Sequence, residues 1–219
     1  MIRTYCTTIA GSARHKMARV MLDRLGYPYE FVSATTAEDA PLEECRKMQR
    51  WKDYIHNDYP IEYIIRSWAC KQTMARAMQK VYDDGNEWAL VIQDDALLAD
   101  RWMEIAYQMI NEAPDWAGSI VVCYRGGNDP HGKFIEGGKF YTSWNCNLTE
   151  QAQLVRRWYA KDNAEAMRTF PAESDWCYSM QHHGSPVIFS TTFLAKQRLV
   201  TSTIDFPIPH TDQRRIVAL

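Results

Sequence analysis

An apolar run, Ala89-Leu90-Val91-Ile92, ends on Gln93-Asp94-Asp95, and a helix-like pattern follows at once. Two adjacent carboxylates at the end of a buried strand repel each other and lose hydration, so they need a cation, capping N–H groups or water. Locally, two readings stand side by side. Either Asp94 or Asp95 caps a turn, or the pair holds a hard divalent cation such as Mg²⁺ or Mn²⁺, which takes carboxylate oxygens and completes its shell with phosphate oxygens and water. A nucleoside diphosphate suits the second reading. The chain contains neither G-x-x-x-x-G-K-[ST] nor G-x-G-x-x-G, so a phosphate site here would be metal-based or arginine-based. In open α/β sheets ligands bind beyond the carboxyl ends of the strands, and the triplet falls at such an end if 89–92 is a central strand.

Other reactive residue types are less well arranged. Neither G-x-S-x-G nor another nucleophile elbow is present to turn a cysteine, histidine and aspartate into a hydrolase triad. His182-His183 lie near Asp175 and Cys177, but adjacent histidines at a helix end do not easily face one ion, so a surface cap is the simpler reading. His210, in Pro-Ile-Pro-His-Thr-Asp, stands alone in an irregular tail. Arg14, just past the first strand, reads equally as a solvated helix residue and as a contact for a nucleotide or diphosphate.

The elements that would position these residues alternate. Residues 2–9 read as a strand, Met17, Val20, Met21 and Leu25 as a helix closed by Gly26, and 28–34 as a second strand. From Thr35 to about Pro60 the pattern is irregular, with room for a short helix. Residues 61–82 predict a long helix and 87–92 a short buried strand. Asp100 is expected to cap a helix carrying Trp102, Ile105, Ala106, Met109 and Ile110, and 118–124 is a further strand. This alternation over the first 124 residues is that of a doubly wound α/β sheet. Five glycines between 125 and 147 predict a long loop or a hairpin. A strand near 151–159, helices near 162–170 and 174–183, a strand at 186–190 and an irregular tail from Thr191 complete the expectation.

The 219 residues suit one compact domain, and 46% hydrophobic with 24% charged residues is an ordinary globular composition. No apolar stretch approaches a membrane span and no secretory signal opens the chain, so a cytoplasmic protein is expected. The six cysteines stand 23 to 53 residues apart without C-x-x-C, which predicts free thiols, and the Asn147-Leu148-Thr149 sequon is then idle. A net charge of −2 gives no overall pull toward nucleic acid.

In this setting "SARHKMARVMLDRLGYPYEFVSA" (12–34), "WACKQTM" (68–74), "EWALVIQDDALL" (87–98), "ESDW" (173–176) and "FLAKQRLVTSTI" (193–204) resemble, in order, segments of glycosyltransferase family 25 of the lipooligosaccharide-biosynthesis type. Ala69 and Met74 depart from the family's Gly-Cys-x-x-Ser-His segment, and Gln93 replaces the glutamate of its Glu-Asp-Asp strand end. The resemblance implies a single GT-A-like (Rossmann-like) domain with a mostly parallel central sheet flanked by helices. Residues 1–124 would be its nucleotide-sugar-binding half and 125–219 its acceptor-binding half. It further implies metal-assisted, inverting transfer of a sugar from a nucleotide-sugar, commonly a UDP-sugar, to an acceptor hydroxyl. Asp95, Asp94 and, by analogy with other GT-A enzymes, His210 would hold Mn²⁺ or Mg²⁺. Thr8, Ala10, Arg14, Gln93 and Asp94 would meet the donor, and Asp175, with Glu173 second, would be the catalytic base. Removal of Asp95 is expected to stop turnover with little loss of stability. A glycan is the family's usual acceptor. The alternative is a phage-type enzyme acting on hydroxylated bases in DNA, which needs a basic, aromatic-lined groove for which Arg156-Arg157-Trp158 and Arg214-Arg215 are the candidates. A non-catalytic nucleotide- or nucleic-acid-binding module is the remaining reading, to which the Gln93 and Met74 departures point.

Overall fold

The structure, a computed structural model, describes residues 1–55, 59–123, 133–135, 137–142, 152–171, 187–192 and 194–197. Along the chain these form β1 (Arg3–Thr8), α1 (Ala13–Leu25), β2 (Tyr29–Ser33), a 3₁₀ turn (Ala37–Asp39), α2 (Leu42–Ile55), α3 (Ile61–Asp83), β3 (Trp88–Gln93), β4 (Ala96–Leu98), α4 (Trp102–Glu112), β5 (Ser119–Val121), β6 (Lys133–Phe134), β7 (Phe140–Thr142), β8 (Ala152–Arg156), α5 (Arg157–Thr169), β9 (Val187–Ser190) and β10 (Ala195–Gln197). No helix among the described residues is long and apolar enough to cross a membrane.

Among the described residues, eight strands make the main sheet in the order β2-β1-β3-β8-β5-β9-β7-β6. Following the pairings across it, six strands point one way and only β8 and β7 run against them. The mostly parallel sheet flanked by helices is therefore as expected. Alternation along the strands serves both faces. Cys6, Leu90, Ile92 and Leu154 pack against α1 and α4, whereas Tyr5, Ala89, Val91 and Val155 pack against α3 and α5. On the far side of α3, α2 covers Ile64, Trp68 and Ala69 with Cys45 and Met48.

Local chemistry explains the boundaries. Ser12 caps α1 by accepting a hydrogen bond from the His15 N–H at 3.0 Å, and Gly26, at φ 70°, closes it as expected. Four expectations need correction. The stretch after β2 holds the 14-residue α2, whose buried Cys45 and Met48 are spaced for one helical face although the surrounding charges obscure the period. Asp100 does not cap α4; Arg101 stands at that position without a side-chain capping bond, its guanidinium pairing with Glu104, and Asp100 instead pairs with Arg24 at 2.8 Å on the surface. The strand expected at 151–159 stops at Arg156, because β3 begins at Trp88 and offers no partner beyond that register. Arg157 then starts α5, burying Tyr159, Ala160, Asn163, Ala164 and Met167. Finally, the tail is not wholly irregular: Ala195–Gln197 pairs antiparallel with β4. Of the expected hairpin within 125–147, β6 and β7 are described, turning through Gly137 and Gly138 at φ 92° and 69°. The helix expected at 174–183 lies outside the described residues. Cys6, Cys45, Cys70 and Cys123 are in no disulfide among the described residues.

Candidate active site

Because β1, β2 and β3 are parallel and in register, Thr8 stands beside Ser33 and Thr7 beside Gln93. Their carboxyl ends thus finish together, the place where open α/β sheets bind ligands. A cavity of about 470 Å³ lies over these ends, within the range of about 300–1,000 Å³ usual for small-molecule sites. Its walls are Thr7, Thr8 and Ile9 at the end of β1, Ala34 to Ala37 after β2, Gln93 and Asp94 at the end of β3, and Arg66, Ala69, Cys70, Thr73 and Met74 from α3.

The β2 wall is held in place by α3. Thr73 Oγ1 accepts from the Thr35 N–H at 2.9 Å, and Arg76 donates to the Ser33 carbonyl at 2.7 Å and to Thr35 Oγ1 at 3.0 Å. The Ala34 N–H reaches the Thr8 carbonyl at 2.8 Å, which ties the β2 exit to β1. These bonds leave a preformed slot whose rim carries several hydroxyls and few charges.

The two aspartates stand where the slot meets β3. Asp94 and Asp95 are only 8% and 3% exposed. Thr8 Oγ1 donates to Asp94 Oδ2 at 2.7 Å, and the Asp94 N–H bonds the Thr7 carbonyl at 3.1 Å. Arg14, from the first turn of α1, donates through Nη2 to Asp95 Oδ2 at 2.6 Å. Its Nε lies 3.2 Å from Asp94 Oδ1, an ion-pair contact that lacks the alignment of a hydrogen bond. Two carboxylates therefore share one guanidinium. Burial raises the pKa of Asp94 above the ordinary carboxylate value, Asp95 adds to the rise, and the Thr8 hydroxyl and Arg14 pull it back.

Of the expected donor residues, Thr8, Gln93 and Asp94 line the cavity. Ala10 is exposed in the turn after β1, and Arg14 stands on the aspartates rather than in the cavity wall. Asp175, Glu173 and His210 lie outside the described residues, as do Arg214 and Arg215. By donor type Asp94 and Asp95 fit a hard divalent cation. Among the described residues no cluster of three His, Cys, Asp or Glu side chains surrounds such a position, and Arg14 is the cation now beside them. The residues that sequence reasoning did not assign are Thr35, Thr36, Arg66, Cys70 and Thr73. The segment 68–74 pointed to two of them without a role, and nothing in the irregular 35–37 stretch marks a binding wall.

Arg156, Arg157 and Trp158 do not stand at this site. Arg156 pairs with Trp88, the opposite end of β3 from Gln93, and five strand steps make that separation about 17 Å. Arg156 also stacks on Trp88 and donates to the Asp115 carbonyl, while Arg157 stacks on Tyr82 and donates to its carbonyl at 2.9 Å. They brace the start of α5, and a groove for a DNA strand at the cavity gains nothing from them.

The chain is similar to the crystal structure of a glycosyltransferase involved in the glycosylation of the major capsid of PBCV-1, at 13% identity, over 92% of this chain and 96% of that chain, with a TM-score of 0.46. No family model matches the sequence. No curated protein matches it either.

Proposed function

We propose that the chain is a glycosyltransferase that takes its sugar from a nucleoside-diphosphate sugar. The observation that carries this reading is the preformed slot over the ends of β1, β2 and β3, with the Asp94 carboxylate in its wall and the Asp95–Arg14 pair directly behind. A slot walled by α3 and the β1 and β2 exits suits a planar base and a ribose, and the charged corner suits the diphosphate. The order of family-25-like segments along the sequence supports the same reading, with a UDP-sugar as first choice of donor and a glycan hydroxyl as acceptor.

In this account Thr8 fixes one oxygen of Asp94, leaving its other oxygen directed to the shared corner. Mn²⁺ or Mg²⁺, held by carboxylate oxygens of Asp94 and Asp95 and by His210, would supply positive charge to the departing diphosphate. Arg14 contributes a guanidinium, whose planar fork suits paired phosphate oxygens. Gln93 keeps the strand end neutral, so the chain brings two carboxylates rather than three. Asp175, with Glu173 as the second choice, takes the acceptor proton as the nucleophilic oxygen attacks the sugar from the face opposite the leaving group. The half 1–124 holds the donor and 125–219 the acceptor.

Incubation with UDP-, GDP- and CMP-sugars in Mn²⁺, with detection of released nucleotide, tests the reading. Release from one UDP-sugar well above the others is expected. No release from any donor, with or without an oligosaccharide acceptor, would favour the non-catalytic binding module.

A further inference from the structure

Arg14 has two features that its pairing with the aspartates does not exhaust. Its Nε, though buried, has no hydrogen-bond partner among the described residues, and its side chain keeps 18% of its surface exposed while Asp95 keeps 3%. It is thus held to Asp95 through Nη2 while its Nε is left without an aligned acceptor among the described residues. It sits in the first turn of α1, where no acidic residue competes for it, and Gly11 beside that turn leaves open space where a side chain would stand.

A divalent ion on Asp94 or Asp95 would bind carboxylate oxygens at about 2.0–2.2 Å. Arg14 Nη2 is 2.6 Å from one of those oxygens and Nε 3.2 Å from another. A divalent ion and the guanidinium would therefore compete for the same carboxylate oxygens. Resting on the glycosyltransferase reading, we propose that Arg14 is an exchangeable counter-cation. In the donor-free protein its single charge offsets one of the two carboxylate charges, and its Nη2 occupies Asp95 Oδ2, which holds divalent metal off the pair. When metal and a nucleoside diphosphate arrive together, Arg14 leaves the carboxylates and turns to the diphosphate oxygens. Metal and donor binding are then coupled through one side chain, each favouring the other by the same factor.

The test is a Mn²⁺ titration of the whole chain, read from the electron paramagnetic resonance of free Mn²⁺, with and without UDP or GDP, for the wild type, Arg14→Ala and Arg14→Lys. Without nucleotide, Arg14→Ala should bind Mn²⁺ at least tenfold more tightly than the wild type, and Arg14→Lys should stay near the wild type. The nucleoside diphosphate should tighten Mn²⁺ binding to the wild type at least tenfold and to Arg14→Ala distinctly less. Circular dichroism and a melting curve accompany each variant. Arg14→Gln, which keeps a donor toward Asp95 without the charge, replaces the alanine variant should that fail to fold. Unchanged or weaker Mn²⁺ binding when the charge is removed would overturn the exchange. Equal nucleotide coupling in wild type and Arg14→Ala would overturn the move to the diphosphate. If neither UDP nor GDP binds any of the proteins, the glycosyltransferase reading falls, while the nucleotide-free comparison still decides whether Arg14 holds metal off the aspartates.

Discussion

Asp95 illustrates what a sequence states about a residue and what it leaves out. Its place at the end of an apolar run was legible, because burial followed by two carboxylates demands a counter-charge wherever the strand lies. That the counter-charge comes from Arg14, 81 positions away, was not, since only the parallel pairing of β1 and β3 brings the first turn of α1 to that strand end. The pairing revises one expectation. With Asp95 buried and bonded to Arg14, Asp95→Ala should remove turnover and also lower stability, by about 1–3 kcal/mol for a lost charge-assisted hydrogen bond, since Asp94 stays beside the guanidinium. Asp95→Asn keeps the shape. It should still lower donor turnover by about 10²–10³-fold, the scale for removing one electrostatic contributor to a transition state, with a smaller loss in melting temperature. Donor hydrolysis assays and thermal melts on the two variants separate these effects, and full turnover in Asp95→Asn would take the aspartate out of the chemistry. Thr35 was not legible, and Thr73 was marked only as part of the 68–74 segment without a role, because the wall they make is built by a hydrogen bond between a loop and a helix, which leaves no periodic trace.

Elements were readable where their own pattern decided them. β1, β2, β3, α1 and α3 each follow from a run or a period within one segment. The start of α5 was not, for Arg157-Trp158-Tyr159 favours a strand by residue type and becomes helical because Tyr159, Ala160, Asn163 and Met167 face the core. The join also depends on Gly118. A Cβ there would stand 2.7 Å from Tyr159 Cβ and 2.9 Å from Trp158 Cη2. Gly118→Ala should therefore cost about 1–3 kcal/mol, as overpacking does, measured by urea unfolding, and a neutral effect would show that α5 sits more loosely on β5. At the opposite end of β1 from the site, the buried Tyr5 hydroxyl donates to Asp84 at 2.7 Å and accepts from Asn86 at 2.9 Å. This hydroxyl is the first cause that holds the Asp84 carboxyl below its ordinary pKa, and Lys80 and Arg3 assist. A carboxyl depressed in the folded state adds stability at pH values above its unfolded pKa, roughly 4, and loses it as pH falls through the folded value. Tyr5→Phe should thus cost about 1 kcal/mol at neutral pH. The gap to the wild type should narrow below about pH 4. Melts across pH 2.5 to 7 check this, and a gap that stayed constant would mean that the hydroxyl acts through packing alone.

Across the whole molecule, the sheet order sets where chemistry can occur. Placing β8 antiparallel between β3 and β5 puts Arg156 beside the start of β3 and Asp94 just past its end, at opposite ends of the same central strands. The sequence could show both clusters but not that they lie at opposite ends. A net charge of −2 and braced arginines predict no salt-dependent retention on duplex DNA at about physiological ionic strength. A salt-sensitive, tight complex would revive the DNA acceptor. The central claim is that the slot over β1, β2 and β3 binds the nucleotide of a sugar donor, and Cys70, half-buried on the α3 wall, offers direct access to it. Calorimetric titration of UDP and GDP in Mn²⁺ into the wild type and Cys70→Trp is the most direct measurement. The account predicts binding of one nucleoside diphosphate to the wild type and its loss in Cys70→Trp with the melting transition retained. Equal binding to both proteins, or none to the wild type, would contradict it.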